Sequence, residues 1–141
     1  MNISLVIMNA IYKDMYDSAK KRVDDLAVDI EQRVFKKGDL EGNGQVSYRS
    51  ESHKNKRRTK GLQIGFVDLN FTSKLKGTLR VVDLSKKAEN KAHFQIRVGE
   101  NYVAKNGITV LEQLSDLGYN IKVTRNEVDN LVKDIKNDLR P

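Results

Sequence analysis

The residues best equipped to do chemistry in this sequence are six cations in one short stretch. Residues 49–60 hold six Lys or Arg against one Glu, a net charge of +5 in a 141-residue chain whose total is +7. Cations at this density attract phosphates or acidic protein surfaces. The candidate contact residues are Arg49, Lys54, Lys56, Arg57, Arg58 and Lys60.

From the residues alone, this cluster has three interpretations. The cations form a solvated segment that keeps a small protein soluble, they bind a nucleic-acid backbone without reading its sequence, or they pair with an acidic protein partner. Tyr48 is the one Phe, Tyr or Trp in the polar segment 42–61. The stacking of bases that single-strand binders use is therefore weakly supported.

Metal-binding and nucleotide-binding motifs find little support. The chain has no cysteine, and its two histidines, His53 and His93, do not share an element at ligand spacing. A transition-metal site is therefore not expected. The glycines also lack the spacing and the following lysine of a phosphate loop. We expect no cofactor.

One nuclease-like order of residues exists. Asp68 or Asp83, followed by Glu89 and Lys91, matches the aspartate–glutamate–x–lysine order whose carboxylates hold Mg²⁺. That chemistry needs the glutamate and the lysine on a buried strand, whereas here they fall in the polar run KKAENK. A solvated turn is the expected structure, and we expect no enzymatic activity.

The elements that must position these residues indicate an α+β fold in a single domain spanning the whole chain. Apolar residues at three- and four-residue steps predict a long N-terminal helix over 10–37. The polar stretch 42–61, which carries the cations, predicts a long basic loop or hairpin. The range 62–98 predicts a small, mainly antiparallel sheet as a β-rich core. Two C-terminal helices are predicted over 109–140.

Local signals refine the element ends. Gly38 is expected to stop the long helix. Thr109 and Thr124 are each followed three residues later by glutamate, the spacing of a capping box. The apolar run Ile3–Met8 is expected to be a first strand or a helix lead-in, or else an arm that packs on a neighbouring subunit. No apolar run approaches the ~20 residues that span a bilayer.

Within the β-rich range, alternation of apolar and polar residues marks the strands. Leu62–Phe66 and Val67–Phe71 alternate in opposite phase, which predicts two short strands. Thr72–Gly77 predicts one helical turn. Leu79–Leu84 and Ala92–Val98 predict an antiparallel hairpin.

Two passages of the sequence resemble passages of a known protein family. FVDLNFTSKLKGTLRVVD, from Phe66 to Asp83, contains an aspartate–leucine–x–x–threonine–x–x–leucine passage, with Ser73 after the threonine. The tail from Val110 to Leu139 has a short helix, a Gly–Tyr exit, a threonine-capped start and a final amphipathic helix. Both passages resemble small morphogenesis proteins of tailed bacteriophages, the tail-completion or head–tail connector (neck) proteins, in which glycine often takes the place of Ser73.

The resemblance implies a non-enzymatic virion protein, made in the host cytoplasm, that forms a homo-oligomeric ring in the neck or at the head–tail junction. It implies portal, adaptor or tail proteins as partners, non-specific contact with genomic DNA through the basic loop, and no membrane. Part of the apolar stripe of the predicted N-terminal helix, together with the apolar N-terminus, is then expected to make subunit contacts. The alternative is a free nucleic-acid-binding accessory protein that uses the loop for sequence-independent phosphate contacts.

Overall fold

The computed structural model describes most of the chain, namely residues 2–7, 12–69, 74–100, 102–103, 107 and 109–140. These residues form helices and a three-stranded antiparallel sheet, which confirms the α+β class. Predictions made for Met8, Ala10, Phe71, Thr72 and Ser73 lie outside the described residues.

Contacts along the chain group its residues into two compact units. The first contains Met1–Ile30, Leu79–Val98 and Val123–Pro141, and the second contains Glu31–Thr78 and Gly99–Lys122. The single domain expected from the sequence stays a prediction.

The first unit is built on a sheet whose strand order is β1-β3-β2. The strands are β1 (Asn2–Ile7), β2 (Arg80–Asp83) and β3 (Ala92–Arg97), and both neighbouring pairs are antiparallel. Ala92, Phe94, Ile96 and Val98 are buried while the residues between them are only partly covered. The predicted hairpin is therefore confirmed, and the apolar N-terminal run forms a strand.

Two helices complete the first unit. Helix α1 (Tyr12–Glu31) buries a stripe that includes Met15, Val23 and Ile30, as its periodicity predicts. The C-terminal helix, α5 (Arg125–Asp138), buries Leu131 and Ile135. Met15, Ala19, Val23, Leu26 and Ile30 of the stripe are buried, whereas Tyr12, Tyr16 and Ala27 are half-buried. The expectation that part of the stripe contacts a partner stays a prediction. The exposed large apolar residue of α1 is Val28, which lies outside the predicted stripe.

The helix α5 (Arg125–Asp138) begins with a complete capping box. The Thr124 hydroxyl accepts a hydrogen bond from the Glu127 amide, and the Glu127 carboxylate accepts one from the Thr124 amide. At the other end, Asp138 accepts hydrogen bonds from Arg22 and Ser18 of α1, at 2.7 and 2.8 Å. These bonds tie α5 to α1 within the first unit.

We expect Thr124→Ala to lower the free energy of unfolding by about 1 kcal/mol, because the Glu127 amide in the first turn of α5 loses the hydroxyl that caps it. Urea denaturation followed by circular dichroism measures the change. Thr124→Ser keeps the hydroxyl and is expected to stay near wild type. Equal loss in the serine and alanine variants would show that the methyl group, rather than the cap, stabilises this helix.

The second unit begins where α1 continues into a π-helical turn, Gln32–Lys36, which buries Val34 and Phe35. Gly38 follows with φ +70°, the left-handed stop that the sequence predicts. The unit also contains α2 (Glu51–Thr59), the single turn α3 (Lys74–Gly77) and α4 (Val110–Asp116).

The predicted long basic loop or hairpin over 42–61 is wrong for its second half. Glu51–Thr59 is helical, and Ser50 caps it by accepting a hydrogen bond from the His53 amide at 3.2 Å. An acidic residue in the first turn and cations in the last turn suit the helix dipole. The one residue that this helix buries is the charged Arg57. The helix therefore has no apolar stripe and no hydrophobic periodicity that would have predicted it.

The two strands predicted between Leu62 and Phe71 are also wrong in their described part, since residues 62–69 contain no strand. Here the backbone bonds to other partners. The Leu62 amide donates to the carbonyl oxygen of Arg57, and the Gln63 side chain bridges the amide and carbonyl of Phe66. Val67 is the buried apolar residue of the range 62–69, whereas Leu62, Ile64, Phe66 and Leu69 are half-buried.

Candidate functional site

Arg57 is the centre of the basic cluster, and it points inward. Its side chain is 1% exposed, and its Nη2 lies 3.0 and 3.2 Å from the two carboxylate oxygens of Asp68. Its Nε donates to the carbonyl oxygen of Gln63 at 2.8 Å. A buried cation needs such a set of partners. The prediction that Arg57 is a surface contact is therefore contradicted by its burial.

The same carboxylate joins a wider network in the second unit. Asp68 also accepts hydrogen bonds from Gln63 at 2.8 Å and from the Tyr48 hydroxyl at 3.3 Å. The Arg57 guanidinium lies over the Tyr48 ring, 5.0 Å from its centroid, and the His53 ring packs beside Tyr48. This network fixes α2 to the segment that follows it.

The charges of Arg57 and Lys56 act on His53. Burial lowers the pKa of the imidazole below its ordinary value, and the charges of Arg57 and Lys56 lower it further. His53 is therefore neutral at pH 7 and adds no charge to the surface. It contributes a ring that packs on Tyr48.

The other predicted cations lie on the outside of α2 or beside it. Lys56, Arg58 and Lys60 are exposed, whereas Lys54 is partly covered and pairs with Glu51 at 3.1 Å. Arg49 precedes the helix; its guanidinium lies 5.7 Å from the Tyr119 ring centroid and donates to the carbonyl oxygen of Leu117. Five of the six predicted residues thus reach the surface of the second unit.

An apolar groove lies next to these cations in the second unit. It has a volume of about 460 Å³. Its lining combines residues of α2, residues of α4 and residues far apart in the sequence, among them Leu69, Leu75, Leu114, Leu117 and Tyr119. Arg49, His53 and Lys56 also line it. Sequence reasoning missed this groove, because only the fold brings α4 and Tyr119 beside the cations.

The carboxylates of the nuclease-like order are engaged elsewhere. Asp68 is paired with Arg57, and Asp83 accepts hydrogen bonds from the Tyr16 hydroxyl at 2.6 Å and from the Ser85 amide. Glu89 lies in a 3₁₀ turn, 3.9 Å from the Lys86 ammonium. Within the described part of the chain, no three His, Cys, Asp or Glu side chains are grouped so that they could hold a metal ion.

Two tyrosines give the protein a pH dependence at high pH. The hydrogen bond to Asp83 raises the pKa of Tyr16 to about 12, and burial, with the charge of Asp68, raises the pKa of Tyr48 to about 12. Both ordinary values are 10.0. Between pH 10 and about pH 12 the tyrosines of the unfolded chain lose protons that Tyr16 and Tyr48 keep in the folded chain. The free energy of unfolding therefore falls as the pH rises through this range.

We expect the free energy of unfolding to fall from about pH 10 to about pH 12, and to fall less steeply in Tyr16→Phe and Tyr48→Phe. Urea denaturation at a series of pH values measures the slope of each protein. Absorbance at 295 nm, in the folded and the urea-unfolded chain, gives the tyrosine titration directly. Identical slopes in wild type and both variants would contradict the assignment.

Comparisons of the chain with protein-family models, with curated protein sequences and with solved structures find no match. Among the residues that the structure describes, no helix has the length and apolar character needed to cross a membrane.

Proposed function

We propose that this protein is a structural, non-enzymatic component of a tailed-bacteriophage particle, and that it forms a ring in the neck or at the head–tail junction. The observation that carries the proposal is the pairing of an apolar groove with an exposed cationic helix in one unit. An apolar centre with a charged rim is the anatomy of a contact surface between macromolecules. The resemblance in Phe66–Asp83 and Val110–Leu139 supplies the phage setting.

The rigidity of α2 supports a structural role. Because Arg57 is held from inside by Asp68 and the Gln63 carbonyl, the exposed cations of α2 stand on a fixed helix. A surface that is already ordered loses little conformational entropy when a partner binds. In this proposal the protein is made in the host cytoplasm and assembles with copies of itself and with portal, adaptor or tail proteins.

A free nucleic-acid-binding accessory protein is the second candidate. The observation that favours it is the exposure of Lys56 and Arg58 on α2 and of Lys60 just after it, where they can reach phosphates. Binding of this kind depends steeply on salt and ignores sequence.

Negative-stain electron microscopy of the purified protein, with a DNA titration, tests both candidates. The structural proposal expects closed rings with or without DNA. The accessory candidate expects single subunits whose DNA affinity falls with salt, with a slope reduced by about 2 in K56A/R58A, one for each lost phosphate contact. Single subunits at every protein concentration would overturn the proposal that the protein forms a ring.

A further inference from the structure

The two most exposed large apolar side chains of the described residues lie in opposite electrostatic surroundings. Leu117 is 60% exposed and Val28 is 56% exposed. Leu117 follows α4 and lines the groove in the second unit, whereas Val28 lies on α1. An exposed apolar patch rimmed by polar residues marks an interaction site, and Leu117 belongs to such a patch at the groove.

The surroundings of Leu117 are positive. Arg49 donates to the carbonyl oxygen of Leu117, and Lys56 lines the same groove. Arg58 and Lys60 continue the positive surface along and beyond α2. We call this surface, Leu117 with Arg49 and Lys56, the cationic groove.

The surroundings of Val28 are negative. The eight residues Asp24–Glu31 hold four acidic side chains and no basic one. Asp24 and Asp25 precede Val28 by four and three residues, which places them beside it on the helix surface. Asp24 pairs with Lys20 at 3.0 Å and Glu31 with Lys76 at 3.4 Å, while Asp25 is exposed and forms no ion pair with another described residue. We call Val28 with Asp24, Asp25 and Asp29 the acidic face.

We propose that the acidic face of one copy binds the cationic groove of the next copy, with Val28 packed against Leu117. This inference rests on the proposed self-assembly and names the surfaces that perform it. The two surfaces are unlike but complementary in charge and both apolar at the centre, so the contact is heterologous. A repeated heterologous contact closes into a ring when its rotation allows. Charge complementarity fixes the partner and the register of such contacts.

The occupant of the groove is a protein surface rather than a nucleobase. Six lining residues are aliphatic, among them Leu69, Leu75, Leu114 and Leu117, and three are tyrosines, Tyr48, Tyr102 and Tyr119. Bases stack on open aromatic rings, and the Tyr48 and Tyr119 rings already have the Arg57 and Arg49 guanidiniums over them. The groove therefore suits an aliphatic side chain such as that of Val28.

Cysteine cross-linking tests the contact, since the natural chain has no cysteine. Val28→Cys and Leu117→Cys are made separately, mixed and oxidised. We expect disulfide-linked dimers in the mixture and few in either variant alone. The exposed Lys87→Cys, mixed with either variant, controls for random collision. Homodimers as abundant as the mixed dimer, or equal linkage to Lys87→Cys, would overturn the proposal.

Charge reversal gives the second readout. Asp25→Lys and Lys56→Glu each place like charges across the contact, and each is expected to weaken self-association by at least about tenfold in sedimentation equilibrium. The double variant D25K/K56E restores opposite charges between neighbouring copies and is expected to recover association. Loss in the single variants without recovery in the double variant would overturn the pairing.

The results separate this inference from the proposed function. If wild type forms rings but Val28 and Leu117 do not cross-link, another surface closes the ring and only the inference fails. If wild type stays a single subunit at all concentrations, the proposed function fails together with it. Protection of Leu117→Cys from thiol labelling by a single-stranded oligonucleotide would assign the groove to nucleic acid and overturn the inference.

Discussion

Replacement of Arg57 by alanine is expected to lower the free energy of unfolding by about 3–5 kcal/mol, because the variant leaves the Asp68 carboxylate buried without its cation. Asp68 is itself buried, and the hydrogen bonds that it accepts from Gln63 and Tyr48 come from neutral donors. Urea denaturation of both proteins at pH 7 measures the loss.

The adjacent Arg58 is the matched control. It is exposed and bonds to the Asn55 side chain on its own helix, so Arg58→Ala is expected to change stability by roughly 0.5 kcal/mol or less. Arg57→Met combined with Asp68→Leu removes both charges and is expected to recover much of the loss. Equal effects of the Arg57 and Arg58 substitutions would show that Arg57 is not the internal anchor of α2.

Substitution of Gly38 by alanine is expected to lower the free energy of unfolding by about 2–5 kcal/mol. The left-handed conformation, φ +70°, costs an alanine roughly 1–2 kcal/mol. A Cβ at this position would also lie 2.3 Å from the Phe66 ring and 2.8 Å from the Val67 carbonyl oxygen. Relieving that collision moves backbone and adds roughly 1–3 kcal/mol. Thermal and urea denaturation measure the sum.

Gly61 separates the two contributions. It has the same φ of +70°, but a Cβ there meets nothing within 4 Å. Gly61→Ala therefore carries only the conformational cost, about 1–2 kcal/mol. If both glycine variants lose equal stability, the close approach of Phe66 and Val67 to Gly38 does not stabilise the second unit.

Sequence reasoning predicted the elements whose signals are local. The stripe of α1, the alternation of β3 and the capping residues Thr109 and Thr124 each depend on neighbours within a few positions, and the structure confirms them. Such patterns follow from backbone geometry and burial of one face.

The same reasoning failed where long-range contacts decide. α2 buries a charged residue in place of an apolar stripe, so its periodicity carries no signal, and Arg57 is held by Asp68, eleven residues away. The density of charge in residues 49–60 predicted that Arg57 lies on the surface like the cations beside it. The groove is likewise invisible along the chain, because Leu69 and Leu117 meet only after folding.

The helical structure of α2 changes what the basic cluster can do. A mobile loop would become ordered only when it binds, whereas the cations of α2 already stand on a helix anchored by Arg57. Loss of that anchor in Arg57→Ala is therefore expected to weaken self-association as well as stability. Lys56 then remains in the chain but loses its fixed position beside the groove.

Native mass spectrometry of the purified wild-type chain across a range of protein concentrations shows whether the protein closes into a ring. We expect one closed oligomer of a single subunit number, which dissociates to single subunits in the Lys56→Glu variant. A mass of one subunit at every concentration, or an open-ended series of masses without a preferred number, would contradict it.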